Sequence, residues 1–141
     1  MKALSALQIQ LCDIQGRLFE LALQKGYDCP AFIRAFMESE VAARLDESYD
    51  RLQWAGEEYI LAELNDTVGG LPCAGQTYGK EAMFWTGFTY RYWNYLTGEK
   101  SKAIYAQADA QTMNESYPGF HTLDVALAID DLKELYRQKN M

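Results

Sequence analysis

The sequence predicts an all-α fold, and three observations carry that reading. Apolar residues recur at spacings of three and four along most of the chain, which is the period of a helix buried on one side. No segment alternates apolar and polar residues like a half-buried strand for more than a few positions. The 10 glycines and 3 prolines gather in stretches that read as connections. A single helical domain over residues 1–141 follows, an orthogonal or bundle-like packing of roughly six to eight helices. Its centre is the segment at about 80–97. Seven of the twelve residues from Phe84 to Tyr95 are aromatic. At about 100° per residue, Phe84, Trp85, Phe88, Tyr92, Tyr95 and Leu96 share one face. Met83, Tyr90 and Trp93 lie on the other, and a helix apolar most of the way round belongs inside the protein.

In the first helix Leu4, Leu7, Leu11, Ile14, Leu18 and Leu21 form a heptad-like seam. Cys12, Gly16, Phe19 and Leu23 form a second stripe, with Gly16 small enough for close helix approach, and Gly26 marks the end. The seam is shorter than the roughly three to four heptads of a sustained coiled coil, so packing within one chain explains it most economically. A homodimer through this helix stays open. Asp28 caps a short helix from Pro30 to Met37, and Ser39 caps another from Glu40 to Leu45. A longer helix is expected from about Glu47 to Asn65, with Tyr49, Leu52, Gly56, Tyr59, Ile60 and Leu64 inward. Trp54 and Leu61 fall off that stripe.

Residues 67–79 hold four of the ten glycines and read as the one long loop, and loops of this length tend to be functional or mobile. The central helix follows and stops at Gly98. Ser101 caps a helix to about Ala108, with Ala103, Ile104 and Tyr105 inward. Pro118-Gly119 makes Tyr117–His121 a turn. Asp124 caps the last helix, whose face is Val125, Ala128, Ile129, Leu132 and Tyr136.

The formal net charge is −7. Nine acidic residues between Glu38 and Asp66 stand against Arg44 and Arg51 alone, so this window carries the whole imbalance. Phosphate backbones would repel such a chain, and nucleic-acid binding through a basic surface is not expected. An acidic flank instead suits a basic protein partner. Three cysteines without a C-x-x-C pair suggest neither a disulfide framework nor a zinc site. Gln8, Gln10 and Asp13 interrupt any early apolar core, and no run of about 18 apolar residues is present, so a cytoplasmic chain without a membrane span is expected.

Chemical motifs are sparse. Gly69-Gly70 lacks the spacing of a phosphate-binding loop. His121 is the single histidine, which removes most histidine-based metal sites, and no Glu-x-x-His pair exists for a carboxylate metal centre. No metal or cofactor is expected. Cys73, in a Leu-Pro-Cys-Ala-Gly context, and His121 are a candidate nucleophile and base, although a small loop residue and a hydrogen-bonding histidine are the stronger explanation of the two. Arg91, beside the aromatic stripe, is a candidate ligand group that an internal carboxylate would also explain. The remaining constellation is Asp50, Trp54, Glu57, Glu58 and Leu61, an apolar anchor inside an acidic rim, as protein-binding patches are built. The alternative is that another helix covers Trp54.

Five stretches carry a family resemblance. They are Gln8–Phe19, Arg51–Tyr59, Tyr90–Glu99, and Phe120–Asp124 with Leu127–Leu132. Together they resemble a family of small uncharacterised bacterial proteins of accessory-genome clusters that also encode ADP-ribosyltransferase-like toxins. The resemblance implies an antitoxin or immunity-like protein that acts by binding, and it assigns no residue a role. Three readings stand side by side: a non-enzymatic inhibitor of a protein partner through the acidic face; a small-ligand binder or enzyme using the aromatic helix and the 67–79 loop with Cys73, Arg91 and His121; and a homodimeric scaffold.

Overall fold

The computed structural model describes residues 3–47 and 50–141. Eight α-helices lie among them: α1 (Ala6–Gln24), α2 (Cys29–Met37), α3 (Glu40–Leu45), α4 (Glu57–Thr67), α5 (Lys80–Thr97), α6 (Ser101–Gln107), α7 (Ala110–Phe120) and α8 (Val125–Lys139). The fold is all-α. No described helix is long and apolar enough to cross a membrane.

The helices start where local chemistry places them. Ser5 and Gln8 form a reciprocal capping box at α1, and the side chains of Asp28, Ser39, Asp109 and Asp124 cap α2, α3, α7 and α8. Gly98 ends α5 in the left-handed region at φ 77°. α6 departs from the expected pattern. Ser101 is its first residue rather than its cap, and the carboxylate of Asp46 accepts from the Ser101 N–H at 2.9 Å and from its hydroxyl at 2.7 Å. Ala103 faces solvent, whereas Ile104 is fully buried.

α5 is the central helix, packed chiefly against α1 and also touched by α6, α7 and α8. The crossing with α1 is unusually close. A β-carbon at Gly87 would lie 2.5 Å from the carbonyl oxygen of Gln15, and one at Gly16 would lie 2.7 Å from the Phe84 ring. Gly87 is therefore a steric requirement of the contact, and a side chain at Gly16 would have to displace the Phe84 ring. The buried stripe of α1 is Cys12, Gln15, Gly16, Leu18, Phe19 and Ala22. The leucine seam sits to one side of it: Leu11, Ile14 and Leu21 are half-buried and Leu7 is exposed. On α5 the most deeply buried large residues are Met83, Tyr90 and Trp93, while Phe84, Phe88, Tyr92, Tyr95 and Leu96 are half-buried at its flank. Phe19 joins the two helices to α2 through edge contacts with Phe32 and Phe36 at centroid distances of 5.1 and 5.5 Å.

Two expectations are corrected, one about the helix before the long loop and one about the turn after α6. The predicted helix over 47–65 is broken: Asp50 caps a short 3-10 turn, Arg51–Trp54, and Gly56 at φ 82° redirects the chain before α4 begins. The break resets the helical phase. Ile60, Leu61 and Leu64 face inward on α4, and Tyr59 turns out, 58% exposed. Tyr49 lies outside the described residues. The 67–79 segment is the expected loop after the end of α4, and it is docked on the α1–α2 connection. Asp28 and Cys29 donate backbone hydrogen bonds to Pro72 and Gln76, Ala74 donates to Gly26, and Leu71 and Tyr78 are buried. Finally, Pro118-Gly119 does not form a turn. α7 continues through it to Phe120, with both residues on the solvent side and the Tyr117 ring edge-on to Trp85 at 5.8 Å. Losing one hydrogen bond to the missing proline N–H is offset there by aromatic packing.

Glu99, in the α5–α6 connection, ties α5 to α8. It accepts from the Trp93 indole at 3.0 Å, from Lys133 and from Gln107, and Lys133 Nζ sits 5.3 Å from the Trp93 ring centroid. Burial alone would raise its carboxyl, but these hydrogen bonds outweigh it and hold it at about 2, below the ordinary 4.5. A depressed folded-state value means stability that is present above the unfolded value and lost as pH falls toward the folded one. Glu99→Gln is therefore expected to cost roughly 1–2 kcal/mol at neutral pH, allowing for solvent screening, with the difference from wild type vanishing between about pH 5 and pH 2 in urea unfolding. Gly87→Ala separates two effects. Helix propensity alone would stabilise the variant, whereas the close crossing predicts a loss of about 1–3 kcal/mol, read as a lower melting temperature.

Candidate functional site

Two surface features collect the candidate residues. The first is the turn between the 3-10 segment and α4. Trp54 ends that segment and is 70% exposed, so no helix covers it. Tyr59, on the first turn of α4, is exposed beside the exposed Glu58. A large indole left in water forgoes about 1.5–3 kcal/mol of burial, which a partner surface can recover. Glu57 is half-buried and lies 3.4 Å from Arg17, which also pairs with Asp13 at 2.9 Å. Glu57 and Glu58 stand at the positive end of the α4 dipole, which stabilises both carboxylates.

Two residues of the predicted patch do not belong to it. Leu61 is 5% exposed and faces the core with Ile60 and Leu64, because the break at Gly56 changes the phase of α4. Asp50 is spent locally. It accepts two hydrogen bonds from Arg44, at 3.0 and 3.1 Å, and one from the Leu52 N–H at 2.9 Å, and these hold its carboxyl below the usual range, the Arg44 bonds most. Tyr59 is the residue that the sequence reading placed inside.

The second feature is a groove of about 560 Å³ along α5, lined by Phe84, Trp85, Phe88, Tyr117 and His121, with Glu20, Lys80 and Glu81 at its edge. Phe84 and Phe88 stack at 6.0 Å, and Tyr92 continues the ladder at 6.3 Å. Across from them His121 stacks on Tyr117 at 4.5 Å, and its Nδ1 lies 2.8 Å from the Tyr117 carbonyl. The signal for this wall was in the sequence: Tyr117 and His121 share a face once α7 is a helix.

The three residues of the alternative ligand site are not brought together. Arg91 is 2% exposed and pairs inside the protein with Asp46 at 2.8 Å, Gln15 at 2.9 Å and Asn94 at 3.1 Å. Cys73 is exposed on the docked 67–79 segment, forming an isolated bridge with Tyr27. His121 alone reaches the aromatic groove. Among the described residues no group of three or more His, Cys, Asp or Glu side chains could hold a metal ion. Comparison with family models, with curated proteins and with solved structures gives no match.

The cysteines differ sharply in environment. Cys12 is buried, and burial, partly opposed by Arg91, pushes its thiol up to about 12; burial also raises Cys29. A thiol reagent at neutral pH is expected to modify Cys73 alone in the folded protein. Cys12 and Cys29 should follow only on unfolding, as counted by intact mass.

Proposed function

We propose that the protein acts by binding another protein, and that Trp54 with Tyr59, Glu57 and Glu58 forms the contact surface. The exposed indole carries this reading. A tryptophan placed outside the core, five residues before a second exposed aromatic and close in the chain to two glutamates, has the composition of a binding hot spot with a charged rim. The formal charge of −7, concentrated in residues 38–66, favours a basic partner and would speed encounter with it. The family resemblance makes that partner a toxin encoded nearby, with this chain as its stoichiometric antitoxin or immunity-like inhibitor. No catalytic step is assigned, and the protein is taken to work in the cytoplasm.

The test is co-expression with the products of the neighbouring genes, followed by affinity measurement on any complex that forms. Trp54→Ala is expected to weaken binding by about thirtyfold or more, the scale of a hot-spot residue. Reversing Glu58 to Lys should slow association and flatten its dependence on salt. A partner that binds both variants as tightly as wild type removes this surface from consideration.

A further inference from the structure

The aromatic groove on α5 lies apart from the Trp54 surface in its walls and in its chemistry. Its walls are aromatic rings: Phe84, Trp85 and Phe88 on α5, and Tyr117 on α7. Aromatic faces carry negative electrostatic potential and attract cations, most strongly where water is partly excluded. At the edge is Glu20 of α1. Its side chain is only 18% exposed, and its one partner among the described residues is Lys80 Nζ at 3.7 Å, beyond hydrogen-bond distance. That long contact is a loose ion pair, in which another cation can replace the lysine at little cost. Lys80 is 63% exposed and can swing into solvent at little cost. Glu81 adds a second carboxylate, so the rim carries one net negative charge.

From this arrangement we infer that the groove binds a small organic cation, an alkyl- or arylammonium whose charged head meets Glu20 and the rings while its apolar body lies along Phe84 and Phe88. The volume of about 560 Å³ suits a small molecule, within the roughly 300–1,000 Å³ of ordinary ligand sites. An anion would meet Glu20 and Glu81 with Lys80 as its one cationic contact. A neutral apolar ligand would bury Glu20 further without a partner.

Three probes of similar shape and different charge test the assignment: phenethylamine, phenethyl alcohol and phenylacetate, titrated at neutral pH while the Trp85 indole resonance is followed by NMR. Phenethylammonium is expected to shift that resonance saturably and to bind about tenfold or more tighter than the alcohol, with phenylacetate weakest. Glu20→Gln should lose most of that preference, Lys80→Met should strengthen ammonium binding by freeing Glu20, and Trp54→Ala should leave it unchanged. Equal affinity for ammonium and alcohol, no saturable shift, or a Lys80→Met variant that binds no tighter overturns the proposal. The Lys80 variant alters an exposed side chain, so it stands as a test even if Glu20→Gln perturbs folding.

Discussion

The most extensive helix–helix contact is the crossing of α1 and α5, where the backbone of Gln15 meets Gly87 without an intervening side chain. From that point a chain of buried polar groups runs outward. Gln15 uses both ends of its amide: Nε2 donates to the Gly87 carbonyl at 3.0 Å, and Oε1 accepts from Arg91 at 2.9 Å. Arg91 then pairs with Asp46, whose side chain is 1% exposed, and Asp46 in turn caps α6 through Ser101. One continuous network therefore fixes α1, the end of α3, α5 and the start of α6. Buried ion pairs add little net stability over a well-packed apolar core, but removing one partner leaves the other charge stranded, at a cost of about 3–5 kcal/mol. The network thus specifies one arrangement of four helices more strongly than it stabilises them.

The same crossing explains why α5 has two unlike faces. Met83, Tyr90 and Trp93 enter the core, with the Tyr90 hydroxyl donating to the Ala108 carbonyl at 2.6 Å. Phe84 is drawn over Gly16, and the ladder it begins with Phe88 and Tyr92 stays at the flank, half-buried. With α1 held so close on one side and α7 bringing Tyr117 and His121 on the other, the rings between them line a groove instead of closing into the interior. An aromatic-rich helix is thus both scaffold and wall.

These two roles mark how far the residues could be read in advance. The existence of α1, α2, α3, α5, α6 and α8, the side-chain caps at Asp28, Ser39 and Asp124, the stop at Gly98 and the close approach at Gly16 all follow from local rules, because a cap or a steric limit acts within a turn or two. The failures share one cause: tertiary contacts overrode a local signal. Gly56 reads as a tolerable glycine inside a helical stripe, yet its positive φ splits the helix and exchanges the positions of Tyr59 and Leu61. Pro118-Gly119 reads as a turn, yet the edge contact of Tyr117 with Trp85 and its stacking on His121 carry α7 through it. Arg91 reads as a candidate ligand group, and nothing in its neighbours along the chain points to Asp46, which is distant in sequence.

The acidic window from Glu38 to Asp66 also changes meaning once its members are placed. Asp46 is internal, Asp50 is bound to Arg44, Glu57 is shared with Arg17, Glu38 pairs with Arg34 and Glu47 with Lys100, so five of these charges have partners within the molecule. Glu58 and Asp66 remain exposed. The field reaching a partner from this face is consequently weaker than the residue count suggests, and it acts mainly on encounter, since exposed charges are screened within about 10 Å at moderate salt. Residence of a bound partner must then come from desolvating Trp54 and Tyr59, whose apolar area is the larger unused source of binding free energy on that face.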